Sequence, residues 1–257
     1  MTIHHVEAGF GTSILFLHGL GADNTQFEPQ LKAFSPRFRT IAVDLRGNGA
    51  SPELDVATSD VLRAQSNDVA LLLDELQVRR VHLVGVEYGG LVAQQFAIDH
   101  RDRLRTLTLS DTFCDTSGRS VAEKVMHLSQ RLNPLVYKLP KQALAMAAMQ
   151  QYSRWPQVLK KATEWAMAAR SEELALQSRV LSQVDFTAAL GRLDVPALGL
   201  SGDATPYARL MMADVCRALD AEQVMVSNAM NLSNLCNPDE FNAALKDFLD
   251  SVESDLD

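Results

Sequence analysis

The stretch Val81 to Ala97, VHLVGVEYGGLVAQQFA, constrains this chain more than any other. Val81, Leu83 and Val84 read as a buried strand, and Leu91, Val92, Phe96 and Ala97 as an apolar helix. Only Gly85 to Gly90 join them, so backbone must pass close to backbone. Glycines at 85 and 89 leave room where side chains would collide with the neighbouring strand and helix. Between them stands Glu87, an ionisable residue at the apex of a tight turn. Its backbone is expected to carry strain, roughly 1–3 kcal/mol. Its carboxylate should lie partly buried at a helix N-terminus. Burial raises a carboxyl pKa, whereas the helix dipole and N–H donors lower it.

On either side of that stretch, strand and helix signals alternate. Ile3 to Glu7 reads as a short strand. Ser13 to His18 is a near-continuous apolar run, as suits a strand buried on both faces, and Arg39 to Asp44 is another. A helix is expected from Asn24 or Thr25 to Phe34. A second follows Ser59, which can cap it, with Leu62, Val69, Leu72, Leu73 and Leu76 at helical spacing. The helix after Glu87 runs to about His100, and Leu104 to Ser110 is the next strand. There the rhythm stops. Asp115 to Leu190 is almost wholly helical in pattern and holds Trp155, Trp165, Met126, Met146, Met149 and Met167. It resumes at Pro196 to Leu200, passes through Gln223 to Val226 and closes with a helix from Pro238 to about Leu249. Glu253 to Asp257 reads as a frayed acidic tail.

Alternation of this kind predicts an α/β fold with a mostly parallel, doubly wound sheet covered on both faces. Residues 1–114 and 195–257 form its core, and 115–194 a helical lid inserted above the sheet. At 257 residues the chain can bury a substantial core. A net charge of −8 speaks against nucleic acid or an anionic membrane as partner. No apolar run approaches the ~20 residues that span a bilayer, and MTIHHVEAGF lacks the parts of a signal peptide. Cys114, Cys216 and Cys236 have no metal-type spacing and cannot all pair, which fits a reducing cytosol. The expectation is a soluble cytoplasmic protein with no metal and no cofactor. A homodimer is left open.

Four further motifs stand in order around Gly85 and Gly89. They are His18-Gly19, Asp44-Leu45-Arg46-Gly47-Asn48-Gly49-Ala50-Ser51, Leu198 to Asp203 (LGLSGD), and Asn228-Ala229-Met230-Asn231-Leu232. With them the chain resembles the α/β-hydrolase fold family over nearly its whole length. It is most similar to the lidded branch of enol-lactonases, C–C bond hydrolases and esterases. The resemblance implies a G-x-S-x-G nucleophile elbow at 85–89 and an oxyanion hole formed by the N–H groups of Tyr88 and of Leu20. It implies a catalytic Asp three residues after Gly202 and a catalytic His at 231. The chain departs at all three triad positions, which hold Glu87, Thr205 and Asn231. Thr205 carries no charge, Asn231 accepts no proton near neutral pH, and Glu87 has no hydroxyl to activate. Serine-hydrolase chemistry is not available.

The reading that remains is a site rebuilt for a small, largely apolar, carbonyl-containing molecule. Glu87 serves as general acid or base, with Asn231, Thr205 and the loop at His18 and Leu20 orienting the molecule. Such a site suits proton transfer, elimination, isomerisation or cyclisation. One alternative is an inactive pseudoenzyme that binds a small ligand or a protein partner. Another makes Glu87 a covalent nucleophile, with lid residues Tyr137 or Tyr152 as acids. Asn231 then removes the base that would release the ester. Among the histidines, His82 reads as a satisfied core residue, His100 as a helix C-cap, and His127 as the one lid histidine able to face the site. The longer glutamate side chain is expected to curl back onto the Tyr88 and Leu20 amides, with the Asn231 amide donating from the other side. Those contacts are expected to outweigh burial and keep Glu87 ionised.

Overall fold

The computed structural model describes residues 2–117 and 133–254. Its strands are β1 (His5–Ala8), β2 (Ser13–Leu17), β3 (Arg39–Val43), β4 (Val81–Val86), β5 (Leu104–Ser110), β6 (Ala197–Gly202) and β7 (Glu222–Val226). They form one sheet in the order β1-β3-β2-β4-β5-β6-β7. Only β1 runs antiparallel; its neighbour is β3. The other pairings are parallel. The chain steps outward from β2 to β3 and then returns to place β4 on the other side of β2. The loops after β2 and β4 therefore diverge, and ligands settle in such a crevice at the carboxyl ends of parallel strands.

The helices are α1 (Glu28–Phe34), α2 (Val61–Glu75), α3 (Tyr88–Asp99), α4 (Asn133–Val136), α5 (Lys141–Tyr152), α6 (Pro156–Ala168), α7 (Ser171–Val180), α8 (Thr187–Leu190), α9 (Pro206–Leu219), α10 (Ser233–Cys236) and α11 (Pro238–Ser254). Alternation along each strand sends side chains to two cores. Leu15, Leu17, Leu83 and Leu107 pack against α2, α3 and α9. Ile14, Phe16, Val84 and Leu200 pack with Phe27, Phe34 and the Phe241, Leu245 and Leu249 stripe of α11. Both faces are covered, which is why Ile14–Leu17 of β2 and Leu83–Val86 of β4 are unbroken apolar runs.

The segment between β5 and β6 leaves the sheet through a narrow neck. Thr116 N–H donates to Val184 O (2.9 Å) and Phe186 N–H to Cys114 O (2.7 Å). Beyond it, α5 and α6 reach back over the strand ends. The indole N–H of Trp155 donates to Asn228 O (2.8 Å) and that of Trp165 to Asp23 Oδ1 (3.1 Å). These bonds tie α6 and the turn before it to the loops after β7 and β2.

Several local expectations are corrected. Ser59 does not cap α2, because a 3-10 turn, Thr58–Asp60, comes first and the N-cap position falls on Asp60. Helix α9 fills a stretch that strand and helix signals left unassigned, with Met212, Val215, Cys216 and Leu219 turned inward. Glu253 is not frayed: it lies in α11 with Oε1 3.2 Å from Nε2 of the buried His82. The other ring nitrogen of His82 meets Thr106 Oγ1 at 2.9 Å, so this histidine is a satisfied core residue.

Candidate active site

Glu87 follows the last residue of β4 and precedes the first of α3, at φ 53° and ψ −113°. That backbone is in a region a glutamate rarely occupies, and the turn enforces it. The Glu87 N–H is held by Ser110 O (2.8 Å), and its carbonyl accepts from Gly90 N–H (3.0 Å). A β-carbon on Gly89 would lie 2.1 Å from Leu17 O, and one on Gly85 would lie 2.5 Å from Gly89 O. The start of α3 is thus pressed onto the end of β2.

This closeness shapes what the carboxylate does. Glu87 Oε2 accepts from the backbone N–H of Leu20 (2.6 Å) and of Tyr88 (2.7 Å). These are the two amides that the family resemblance assigns to an oxyanion hole, and the Glu87 side chain takes up both. Oε1 accepts no hydrogen bond from any described residue, and Glu87 borders an open cavity of about 360 Å³. Burial is the largest influence on the group and raises its pKa above the ordinary glutamate range. The two N–H contacts pull the other way, and the nearby Asp111 adds to the rise. The expectation that the donors would outweigh burial is corrected. Two N–H groups on one oxygen do not replace the water lost from both.

The loop after β2 is held by a buried amide network. Gly19 N–H donates to Gln26 Oε1 (2.9 Å), and Gln26 is bonded through both side chain and carbonyl to Asn234. Asn234 Nδ2 also donates to Gln30 Oε1 (3.0 Å), and Gln30 Nε2 donates back to Asn234 O (3.1 Å). These amides stand 204 to 208 residues apart in sequence. Nothing local marks them except the i, i+4 spacing of Gln26 and Gln30.

His18 is fully buried and does not reach the cavity, which corrects its assignment to substrate binding. Leu45 N–H can only donate, so His18 Nε2 is the acceptor (3.0 Å) and Nδ1–H donates to Gly19 O (2.8 Å). The ring is neutral, and burial pushes its pKa down. Its role is to set the turn that carries the Leu20 amide. Leu20 borders the cavity, while Tyr88 contributes through its backbone alone. The Tyr88 side chain is in the core, its hydroxyl donating to Gln65 Oε1 (2.8 Å). His127 lies outside the described residues.

Asn231 borders the cavity but makes no bond to Glu87. Its Oδ1 accepts long contacts from Tyr152 OH and Gln151 Nε2, both 3.4 Å. Thr205 sits at the N-cap position of α9, without a side-chain cap bond and away from the cavity. Its expected part in orienting the substrate is corrected: the strand end at β6 turns away before residue 205 can reach the site. The buried acid stands one strand nearer. Asp111, at φ 52° just past β5, accepts from Gly202 N–H (2.9 Å), Ser233 N–H (2.9 Å) and Ser110 Oγ (2.9 Å). It clamps the ends of β5 and β6 to the loop that carries Asn231 and Leu232. Burial raises its pKa despite the donors from Ser233, Gly202 and Ser110.

One wall of the cavity comes from residues between Val136 and Leu174. Tyr152, buried, and Tyr137, half-buried, border the cavity, with burial and the charge of Glu87 holding their hydroxyls protonated. Trp165, Leu144 and Leu174 supply apolar wall. Among the described residues, no group of three or more His, Cys, Asp or Glu side chains could hold a metal ion. No described helix is long and apolar enough to cross a membrane.

Residues 12–227 match the family described as alpha/beta hydrolase fold. The chain belongs to that family. Among its relatives is 3-oxoadipate enol-lactonase 1 of Acinetobacter baylyi, 24% identical over 251 residues, covering 94% of this chain and 90% of that one. The pimeloyl-[acyl-carrier protein] methyl ester esterase of Vibrio vulnificus is 26% identical over 248 residues, covering 93% and 94%. The crystal structure of the enol-lactonase from Burkholderia xenovorans LB400 superposes with a TM-score of 0.80 at 25% identity, covering 96% of both chains. This α/β-hydrolase-fold chain is thus related to enol-lactonases and esterases.

Position 87 at its elbow carries no hydroxyl or thiol, and no imidazole faces the cavity among the described residues. Fluorophosphonate labelling and p-nitrophenyl acetate turnover are therefore expected at the level of a heat-killed control. Glu87→Ser alone should stay unlabelled, because Asn231 cannot take the serine proton. Active-site labelling of either protein would contradict this.

Proposed function

We propose that the chain is a non-serine enzyme in which Glu87 moves a proton on a small, largely apolar, carbonyl-containing molecule. One observation carries the reading. The Glu87 carboxylate is fixed through Oε2 by two backbone amides, while Oε1 accepts no bond from a described residue and Glu87 borders an open cavity. A base held this way needs no reorganisation when it accepts a proton. Its raised pKa brings it nearer the range where a carboxyl group both takes and returns protons. Tyr137, kept neutral, is a hydroxyl donor for a substrate oxygen, and Tyr152 is a second once it gives up its long contact to Asn231. They take the place of the oxyanion hole, which Glu87 occupies. The helical segment 133–190 serves as the lid that excludes water from the transfer.

The test is hydrogen exchange in D2O, followed by NMR, next to the carbonyl of a panel of C6–C10 ketones and lactones. For at least one member, exchange should exceed the uncatalysed rate by about 100-fold or more, within the usual range of general acid–base catalysis. It should fall to background in Glu87→Gln. Absence of exchange across the panel counts against the reading. A ligand-binding pseudoenzyme is the second reading, favoured by the locking of Oε2 into internal bonds.

A further inference from the structure

The cavity is unbalanced in charge. Among the described residues that line it, Glu87 is the one carboxylate and there is no lysine, arginine or histidine. Arg170 borders a small adjoining cavity behind Trp165 and Leu174, but its guanidinium is committed elsewhere. It donates to the carbonyls of Asn48, Gly49 and Ser51 and pairs with Glu173. The fold therefore gives Glu87 two donors on Oε2 and leaves Oε1, at the cavity wall, without any from a described residue. A ligand that brings a donor to this oxygen makes a charge-assisted hydrogen bond there, stronger than a neutral one.

The rest of the wall narrows the choice of donor. Tyr137, Tyr152 and Trp165 bring aromatic rings to the cavity. The Trp165 N–H is spent on Asp23 Oδ1 and Thr25 Oγ1, which leaves its ring for the ligand. Aromatic rings together with a carboxylate attract a cation, and apolar walls accept the body that carries it. An anionic ligand would meet Glu87 with no counter-charge from a described residue.

The geometry points to a substrate class for this site: a small apolar molecule bearing a protonated amine, its N–H directed at Glu87 Oε1. The assignment rests on the cavity at Glu87 being the functional site. Within the proton-transfer reading the same contact supplies a proton to move. The N–H bond breaks, the O–H bond forms on Oε1, and the electron pair stays on nitrogen, leaving a neutral amine.

Three size-matched probes separate the possibilities: 2-phenylethylamine, 2-phenylethanol and 3-phenylpropanoate, each titrated into the protein by calorimetry at pH 7. The amine is expected to bind at least about tenfold more tightly than the alcohol, as an added charge-assisted hydrogen bond implies. The carboxylate should bind most weakly. Glu87→Gln, checked for folding by circular dichroism, should bring the amine to the level of the alcohol. A carboxylate or alcohol that binds as well as the amine overturns the inference. So does binding of none of the three, or an amine preference that survives Glu87→Gln. If that variant does not fold, the wild-type ranking alone decides. Exchange of ketone protons with no amine preference removes the substrate class and leaves the proton-transfer reading. Amine preference without exchange does the reverse.

Discussion

Replacing Glu87 with glutamine is expected to abolish activity, a loss of about 100-fold or more, while raising the melting temperature at neutral pH. The amide keeps an oxygen for the Leu20 and Tyr88 N–H groups, so the contacts that fix the side chain survive. What disappears is a charge in a buried site. The sign follows from the direction of the shift. Burial raises the native pKa of Glu87, whereas the unfolded chain ionises near the ordinary value of about 4.3. Below that value both states are protonated and the group costs nothing. As pH rises through the raised native pKa, the wild type loses stability because the unfolded state gives up its proton first. The Glu87→Gln advantage should therefore be largest at pH 7–8, shrink as the solution is acidified, and be gone below about 4.3. Scanning calorimetry of both proteins from pH 4 to 8 measures it. A variant less stable than wild type at pH 7 would mean that the two amides prefer the anion by more than burial opposes it.

Gly89→Ala should damage stability and site together. The new methyl would stand 2.1 Å from Leu17 O and 2.6 Å from His18 O. Both are backbone atoms, and Leu17 lies in a strand paired with β3 and β4 on either side, so the strand cannot yield. The start of α3 must move away instead. Overpacking of this kind costs up to about 3 kcal/mol, which for a chain of this size lowers the melting temperature by about 6–12 °C. Because Leu20 lies two residues after His18 and Tyr88 precedes Gly89, the same displacement separates the two amides that share Glu87 Oε2. Loss of exchange and of probe binding should accompany the fall in melting temperature. A variant with wild-type stability would show that the elbow is not packed as tightly as these distances require.

Part of this site was legible before any coordinates. Gly85, Glu87, Tyr88 and Gly89 are neighbours in sequence, and a turn between a buried strand and an apolar helix leaves the chain one path. The return of Glu87 onto the Tyr88 amide follows from that path and from one extra methylene. Leu20 was legible through the ordered motifs that imply the fold. The same motifs failed at residue 205. Spacing from Gly202 says where a strand ends but not which way the next residue faces, and the structure places the buried acid at Asp111, one strand nearer.

The sequence by itself determined the alternation of strand and helix, the two-sided burial of the sheet and the unusual residue at its sharpest turn. Each of these is written within a few turns of chain, where apolar spacing and glycine sterics act. Tertiary structure alone decided the rest. The order β2-β4-β5-β6 brings Leu20, Glu87, Asp111 and Gly202 to one edge, though they are far apart in sequence. It joins Gln26 to Asn234, closes both nitrogens of His18 against backbone, and sets Tyr137 and Tyr152 across from Glu87. It also decided the direction of the Glu87 pKa, because that depends on how much water the assembled walls remove compared with what two amides restore. Such a balance belongs to a volume enclosed by distant segments, and no local pattern of residues encodes it.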